Sequence, residues 1–247
     1  MRAAAAASAF CWGFLFFGLI DLSVPIGKPT GFYDTYLLET GWGLVYTVLV
    51  GAAFLSLTLR PSQTMPLIQV TLVGLCLAVA AMVSGEWGQL VPAALLVLNA
   101  YAISHLARGP LRLTPSWYRP PVDPVLALLA VLLLAPAAVF AVDMVTEYRT
   151  GPAPTDDITW GLDHWPTQAA LALAVTAVAM AVAAGLRGRW AGTATCAGCV
   201  VVTAGWFGVV SAVYPGHAGS IGAGWGVALL VWSVVFAVAT GWRMAAR

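Results

Sequence analysis

A chain of 247 residues that is 61% hydrophobic and only 9% charged, with a mean hydropathy of +0.89, is too poor in charge to clothe a water-soluble surface. Soluble domains carry about 25% charged residues, so the sequence is read as an integral membrane protein. The net charge of +1 leaves no basic excess for a nucleic-acid partner. Arginine outnumbers lysine ten to one and Ala, Gly and Val abound, which is the residue usage of a GC-rich genome and points to a high-GC bacterium. Cys11, Cys76, Cys196 and Cys199 all fall inside apolar runs, so no structural disulfide is expected.

Arg2 precedes an apolar run from Ala3 to Leu22. The run is long and no small-x-small cleavage site follows it, so it reads as a retained first span rather than a signal peptide. Further runs of the roughly 20 residues a crossing needs lie near 41–59, 64–84, 88–107, 124–142, 166–186, 190–213 and 221–242. The expected fold class is an all-α integral membrane protein with eight transmembrane helices in a single membrane domain, 1–247. Only a tight turn, Arg60-Pro61-Ser62-Gln63, separates the second and third spans.

Charge then orients the chain. With the N-terminus inside, the inner segments hold Arg2, Arg60, Arg108, Arg112, Arg119, Arg187, Arg189, Arg243 and Arg247, and the outer ones only Lys28 and Arg149. The acids divide the other way: Asp123 alone is inside, while Asp21, Asp34, Glu39, Glu86, Asp143, Glu147, Asp156, Asp157 and Asp163 are outside. By the positive-inside rule both termini are expected in the cytoplasm, with the chain in the plasma membrane.

Two outer loops are long. In residues 22–40, the segment Phe32–Glu39 is expected to lie in the interface with Phe32, Tyr33, Tyr36 and Leu37 on the lipid side. Residues 143–164 form the other, interrupted by Gly151-Pro152-Ala153-Pro154. The inner loop 108–123, with Trp117, Tyr118 and three arginines, is expected against anionic headgroups, where it serves to set orientation. The layout also suggests two tandem four-helix repeats, 1–107 and 124–247. Each half has an acid at the end of its first helix (Asp21, Asp143) and an acidic loop. Each then has a tryptophan opening the next helix (Trp42, Trp165) and another opening the last (Trp87, Trp225). Aromatic belts alone would also place tryptophan at outer helix starts, and that reading stands beside the repeat.

The chemistry-bearing residues concentrate at the outer face, above all in Asp156–Gln168. Asp21 and Asp143 lie about 27 Å up their helices, taking 1.5 Å per residue, where a carboxylate still reaches water. With Glu86, Trp87, Asp163, His164, Trp165 and His217 they are expected to line an outward-open acidic and aromatic vestibule. Carboxylates inside a low-dielectric rim attract cations. The competing reading makes Asp163 an N-cap, with Pro166 in the first helical turn, and the other acids solvated loop charges. Asn99, the deepest intramembrane polar residue, and His105 form a second candidate pathway. His217 also reads as a turn residue and His105 as an interfacial anchor. Gln69, Gln89, Asn99 and Gln168 are expected to bond between helices.

No H-x-x-x-H or H-E-x-x-H spacing occurs, so no metal is assigned, and no cofactor is predicted. Cys196-Ala197-Gly198-Cys199 lies two turns inside the seventh span, where close packing is expected over redox chemistry. Gly222-x-Gly224-x-Gly226 follows an outer turn rather than a strand and is no nucleotide fingerprint. The leading functional reading is binding or transport of a small solute, cationic or proton-coupled, through the vestibule. Two others stand beside it. One is a membrane enzyme acting on a lipid or lipid-linked substrate at the outer leaflet, with Asp163, His164 and Glu86 in acid/base roles. The other is an accessory subunit of a membrane complex. The partners implied are the lipid bilayer and a small solute or lipid.

Overall fold

The structure, a computed structural model, describes residues 1–27, 36–108, 122–151, 158–188 and 190–246. Apart from one two-stranded hairpin, its regular elements are helical. They are α1 (Arg2–Leu15), α2 (Gly18–Gly27), α3 (Tyr36–Leu59), α4 (Met65–Ser84), α5 (Leu90–Arg108), α6 (Pro124–Thr150), β1 (Ile158–Thr159), β2 (Leu162–Asp163), α7 (His164–Arg187), α8 (Thr193–Val213) and α9 (Gly222–Ala245). Among the described residues seven helices are long and apolar enough to cross a membrane, and α1 with α2 makes an eighth if the bent pair is one span. This is the architecture of an all-α, multi-pass membrane protein.

Neighbours in sequence pack as antiparallel pairs: α1–α2 on α3, α4 on α5, α6 on α7 and α8 on α9. The interior is made by α3, α4, α7 and α8, whereas α5, α6 and α9 turn most of their surface outward. Each of the four expected polar residues bonds away from its own helix, three of them to another helix or its N-cap and Gln168 to the turn before α9. Gln69 Nε2 donates to the Leu49 carbonyl (2.6 Å) and Gln89 Nε2 to the Asp163 carbonyl (2.6 Å). Ser8 Oγ donates to Asn99 Oδ1 (3.0 Å), and Gln168 Nε2 to the Gly219 carbonyl (3.1 Å). Cys196 and Cys199 are buried free thiols on α8. In the glycine run, Gly226 serves packing: α9 crosses α8 so closely that a Cβ there would stand 2.7 Å from the Gly208 carbonyl and the Ala212 nitrogen.

Three boundaries depart from the sequence expectation. The first span is not one rod. It breaks after a π-helical turn, Cys11–Leu15, and resumes at Gly18 with a 48° bend. Phe17 sits at the break with φ 61°, a conformation that costs any residue with a Cβ. Second, α3 begins at Tyr36 rather than 41. Leu37 is fully buried rather than turned to lipid, Tyr36 is half-buried against the core, and Trp42 lies in the core rather than in a belt. The reason is that α2 and α7 both pack against that end of α3; Phe32 and Tyr33 lie outside the described residues. Third, α6 runs on to Thr150, because Met144 and Val145 continue its buried face. Asp143, Glu147 and Arg149 are therefore helical residues, not loop residues. Asp156, Asp157 and most of the arginine loop fall outside the described residues.

The lone acid of the arginine-rich end has a structural task. Asp123 is 3% exposed and caps α6, its Oδ1 accepting from the Val125 and Leu126 amides (3.1 and 3.2 Å). Its other oxygen faces Arg243 Nε of α9 at 3.5 Å. Asp123→Ala is expected to cost about 1–2 kcal/mol through the lost cap, since the half-exposed arginine adds little. Chemical unfolding in detergent checks it, and wild-type stability in the variant would show that the cap is idle.

Candidate functional site

At the acid-rich end, the break in the first span sets the geometry. A π-turn and a break strand backbone carbonyls that an unbroken helix would satisfy, and in an apolar setting each needs a donor. Side chains supply them. Trp42 Nε1 donates to the Phe16 carbonyl (2.7 Å), Trp160 Nε1 to Leu15 (3.2 Å) and Thr47 Oγ1 to Gly13 (3.3 Å). A second π-helical segment, Leu44–Gly51 in α3, lies directly against the first. Between them Trp12, Phe16, Trp42 and Tyr46 form one aromatic stack with ring centres 4.5–5.8 Å apart.

Asp21 lies on α2, one turn past the break. It is 7% exposed, and its Oδ2 is buried with no hydrogen-bond partner among the described residues. Pro25, four residues on, has no N–H to give the Asp21 carbonyl. Glu39, on the facing turn of α3, is close enough to act on Asp21 electrostatically. A buried carboxylate with an unoccupied oxygen is costly, and such groups mark functional positions in membrane proteins.

The second group gathers around the hairpin. β1 and β2 pair Ile158 with Asp163 and Thr159 with Leu162, and Trp160 and Gly161 turn between them at φ 57° and 77°. Positive φ at both corner residues is the primed turn that suits a tight hairpin, and it aims Trp160 at the break, its ring 6.1 Å from Phe17. The hairpin ends at the N-cap of α7. Asp163 Oδ1 accepts from the Trp165 amide (3.0 Å), as the capping reading expects. His164 is buried, hydrogen-bonded through Nε2 to Thr159 Oγ1 (2.9 Å), with its ring 4.6 Å from Trp42. Glu86, in the turn after α4, accepts from the Tyr148 hydroxyl of α6. Gln89 Nε2 reaches Thr167 Oγ1 as well (2.9 Å).

Burial pushes the Asp163 carboxyl above its ordinary value. The Trp165 amide pulls it back, and the negative charge of Glu86 adds to the rise. A carboxylate raised in the fold contributes stability below its unfolded value and loses it as pH climbs through the raised one. Asp163→Asn keeps a capping side chain, so it is expected to flatten the decline in stability as pH rises from about 4, the ordinary Asp value. Thermal unfolding across pH checks this; an unchanged profile would remove Asp163 from the electrostatics of the site.

The expected vestibule residues thus divide. Asp163 lies within electrostatic reach of Glu86, His164 touches Trp42 of the broken-span stack, and Asp21 lies within electrostatic reach of Glu39. Trp165 is half-buried against the core and Trp87 is exposed. Asp143 lines a separate groove beside α9. His217 sits in the turn before α9, its ring edge-on to Tyr214 at 5.1 Å. In the second candidate pathway, Asn99 accepts from Ser8, and His105 is exposed with its ring edge-on to Tyr101 at 4.4 Å. Sequence reading placed Glu39 only among the outer acids and passed over Tyr148, Thr159 and the aromatic stack. The i, i+4 spacing of Trp12 with Phe16 and of Trp42 with Tyr46 was the available signal. Among the described residues no group of three or more His, Cys, Asp or Glu side chains could hold a metal ion. No family model, curated protein or solved structure matches the chain.

Proposed function

We propose that the chain binds a small cation, or a solute carrying a protonated amine, from the outer face of the plasma membrane, and that Asp21 receives it. The observation that carries this reading is the buried Asp21 oxygen without a partner among the described residues, within electrostatic reach of Glu39 at the break of a discontinuous span. Broken helices are where transporters put ion and substrate sites, because irregular backbone at membrane depth survives only where it is buried or lines a cavity. Trp42, Trp160 and Thr47 hold the break open by occupying its carbonyls, leaving Asp21 to the solute. Glu39 raises the local negative potential, and the Glu86–Asp163 pair extends that potential across the outer face. The two-repeat reading fits this picture. With halves 1–107 and 124–247, α3 and α7 become equivalent central helices, as do α4 and α8. The outward-turned α5 and α9 become equivalent as well.

A thermal-shift screen of purified protein against inorganic cations and simple amines tests the site. A ligand confined to the folded state adds about 2.7 kcal/mol at a hundredfold excess over Kd. The shift should vanish in Asp21→Asn and persist in Asp123→Asn, which keeps the α6 cap at the other end of the bundle; a shift that survives Asp21→Asn would overturn the assignment.

The acid-rich end is taken as the outer one, with both termini in the cytoplasm. In a background lacking the four native cysteines, Thr150→Cys should react with an impermeant maleimide on intact cells, and Ala246→Cys only after lysis. The reverse pattern would invert the topology.

A further inference from the structure

Beside the site just described, a half-open groove of about 840 Å³ runs between α6 and α9, floored by α7 and α8. The two walls meet at the lower end, where Trp232 Nε1 donates to the Leu129 carbonyl (2.9 Å), and splay apart above it. We infer that this groove binds an amphipathic organic cation, with its ammonium head at Asp143 and Glu147 and its apolar body along Phe140, Leu171 and Phe207.

Three features of the groove choose this occupant. Asp143 and Glu147 are one turn apart on α6, so both carboxylates line the same wall. No lysine, arginine or histidine is among the described residues that line it, so the charge is uncompensated from within. A cation answers that field, and Trp225 on the facing α9 wall offers an indole for it. The body of the groove is apolar, with Phe140 and Phe207 in ring contact at 5.8 Å, which excludes a small hydrated ion as the occupant. Finally, Thr203 lines the groove, is fully buried, and its hydroxyl has no partner among the described residues. A threonine in a helix ordinarily satisfies its hydroxyl on the preceding turn; here the hydroxyl is left for the occupant. A plain alkyl chain would leave it unsatisfied at a cost, so the apolar body carries one hydrogen-bonding atom. The site is separate from Asp21 and does not depend on it.

The test compares two pyrene-labelled probes of equal chain length, an alkyltrimethylammonium and an alkyl glucoside, titrated onto the full chain in a neutral detergent. The cationic probe should bind at least tenfold more tightly than the neutral one. Asp143→Asn with Glu147→Gln should erase that preference, and Ala228→Trp, which fills the groove, should remove binding of both. Asp21→Asn should leave the preference intact. An ether or amide placed mid-chain in the cationic probe should tighten binding several-fold, and Thr203→Val should cancel that gain. Equal binding of the two probes, or a preference that survives the double acid variant, would overturn the inference and leave a groove that takes lipid tails alone. Loss of the preference in Asp21→Asn would show that the probe reads the other site.

Discussion

Gly43→Ala is expected to unseat the first span from the second. A Cβ at Gly43 would stand 2.4 Å from the Leu22 nitrogen and 2.6 Å from the Gly18 carbonyl, both backbone atoms that cannot turn aside. Overpacking a core costs about 1–3 kcal/mol where side chains can give way, and here it is α2 itself that must shift. The shift would pull Phe16 from Trp42 and move Asp21 from Glu39, so loss of stability and loss of cation response should come together. Gly224→Ala, where nothing lies within 4 Å of the added atom, is the matched control. Detergent thermal unfolding of the two variants reads the difference; equal melting temperatures would mean that α2 and α3 do not meet at that crossing.

The second large effect is at Asp21. Asp21→Asn should raise the stability of the empty protein by at least about 1 kcal/mol, because an acid buried without a partner among the described residues leaves the site while the shape stays. The same change should abolish the response to cations, the trade of activity for stability expected where a strained polar group serves function. Glu39→Gln should act in the same direction and more weakly, since its charge bears on the site from the facing turn. If Asp21→Asn instead destabilises, the carboxylate is a structural partner and not a receptor.

What could be read from the sequence followed from composition and period. Runs of about twenty apolar residues located the crossings. The interhelical roles of Gln69, Gln89 and Asn99 followed from the cost of a polar group in hydrocarbon; Gln168 bonds instead to the turn before α9. Asp163 before Pro166 announced its own cap. The break in the first span was not legible, because Phe16 and Phe17 carry no helix-breaking signature. It is imposed from outside, by the indoles of Trp42 and Trp160 and the hydroxyl of Thr47, which take the carbonyls that the break frees. Trp42 misled for a related reason. A tryptophan near a helix start reads as an interfacial belt residue, but α2 folds over it and makes it core. Asp143 was grouped with the other acids by depth alone. Depth fixes a residue's level in the bundle and says nothing of its azimuth, and α6 turns Asp143 toward α9.

Infrared difference spectroscopy, with the protein exchanged between buffers lacking and containing a cation found by thermal shift, observes the receiving carboxyl group itself. A carboxyl band should change on adding the cation in the wild-type chain and in Asp123→Asn, and that change should be missing in Asp21→Asn. A difference spectrum that is the same with and without the Asp21 carboxylate would contradict the assignment of Asp21 as the cation receptor.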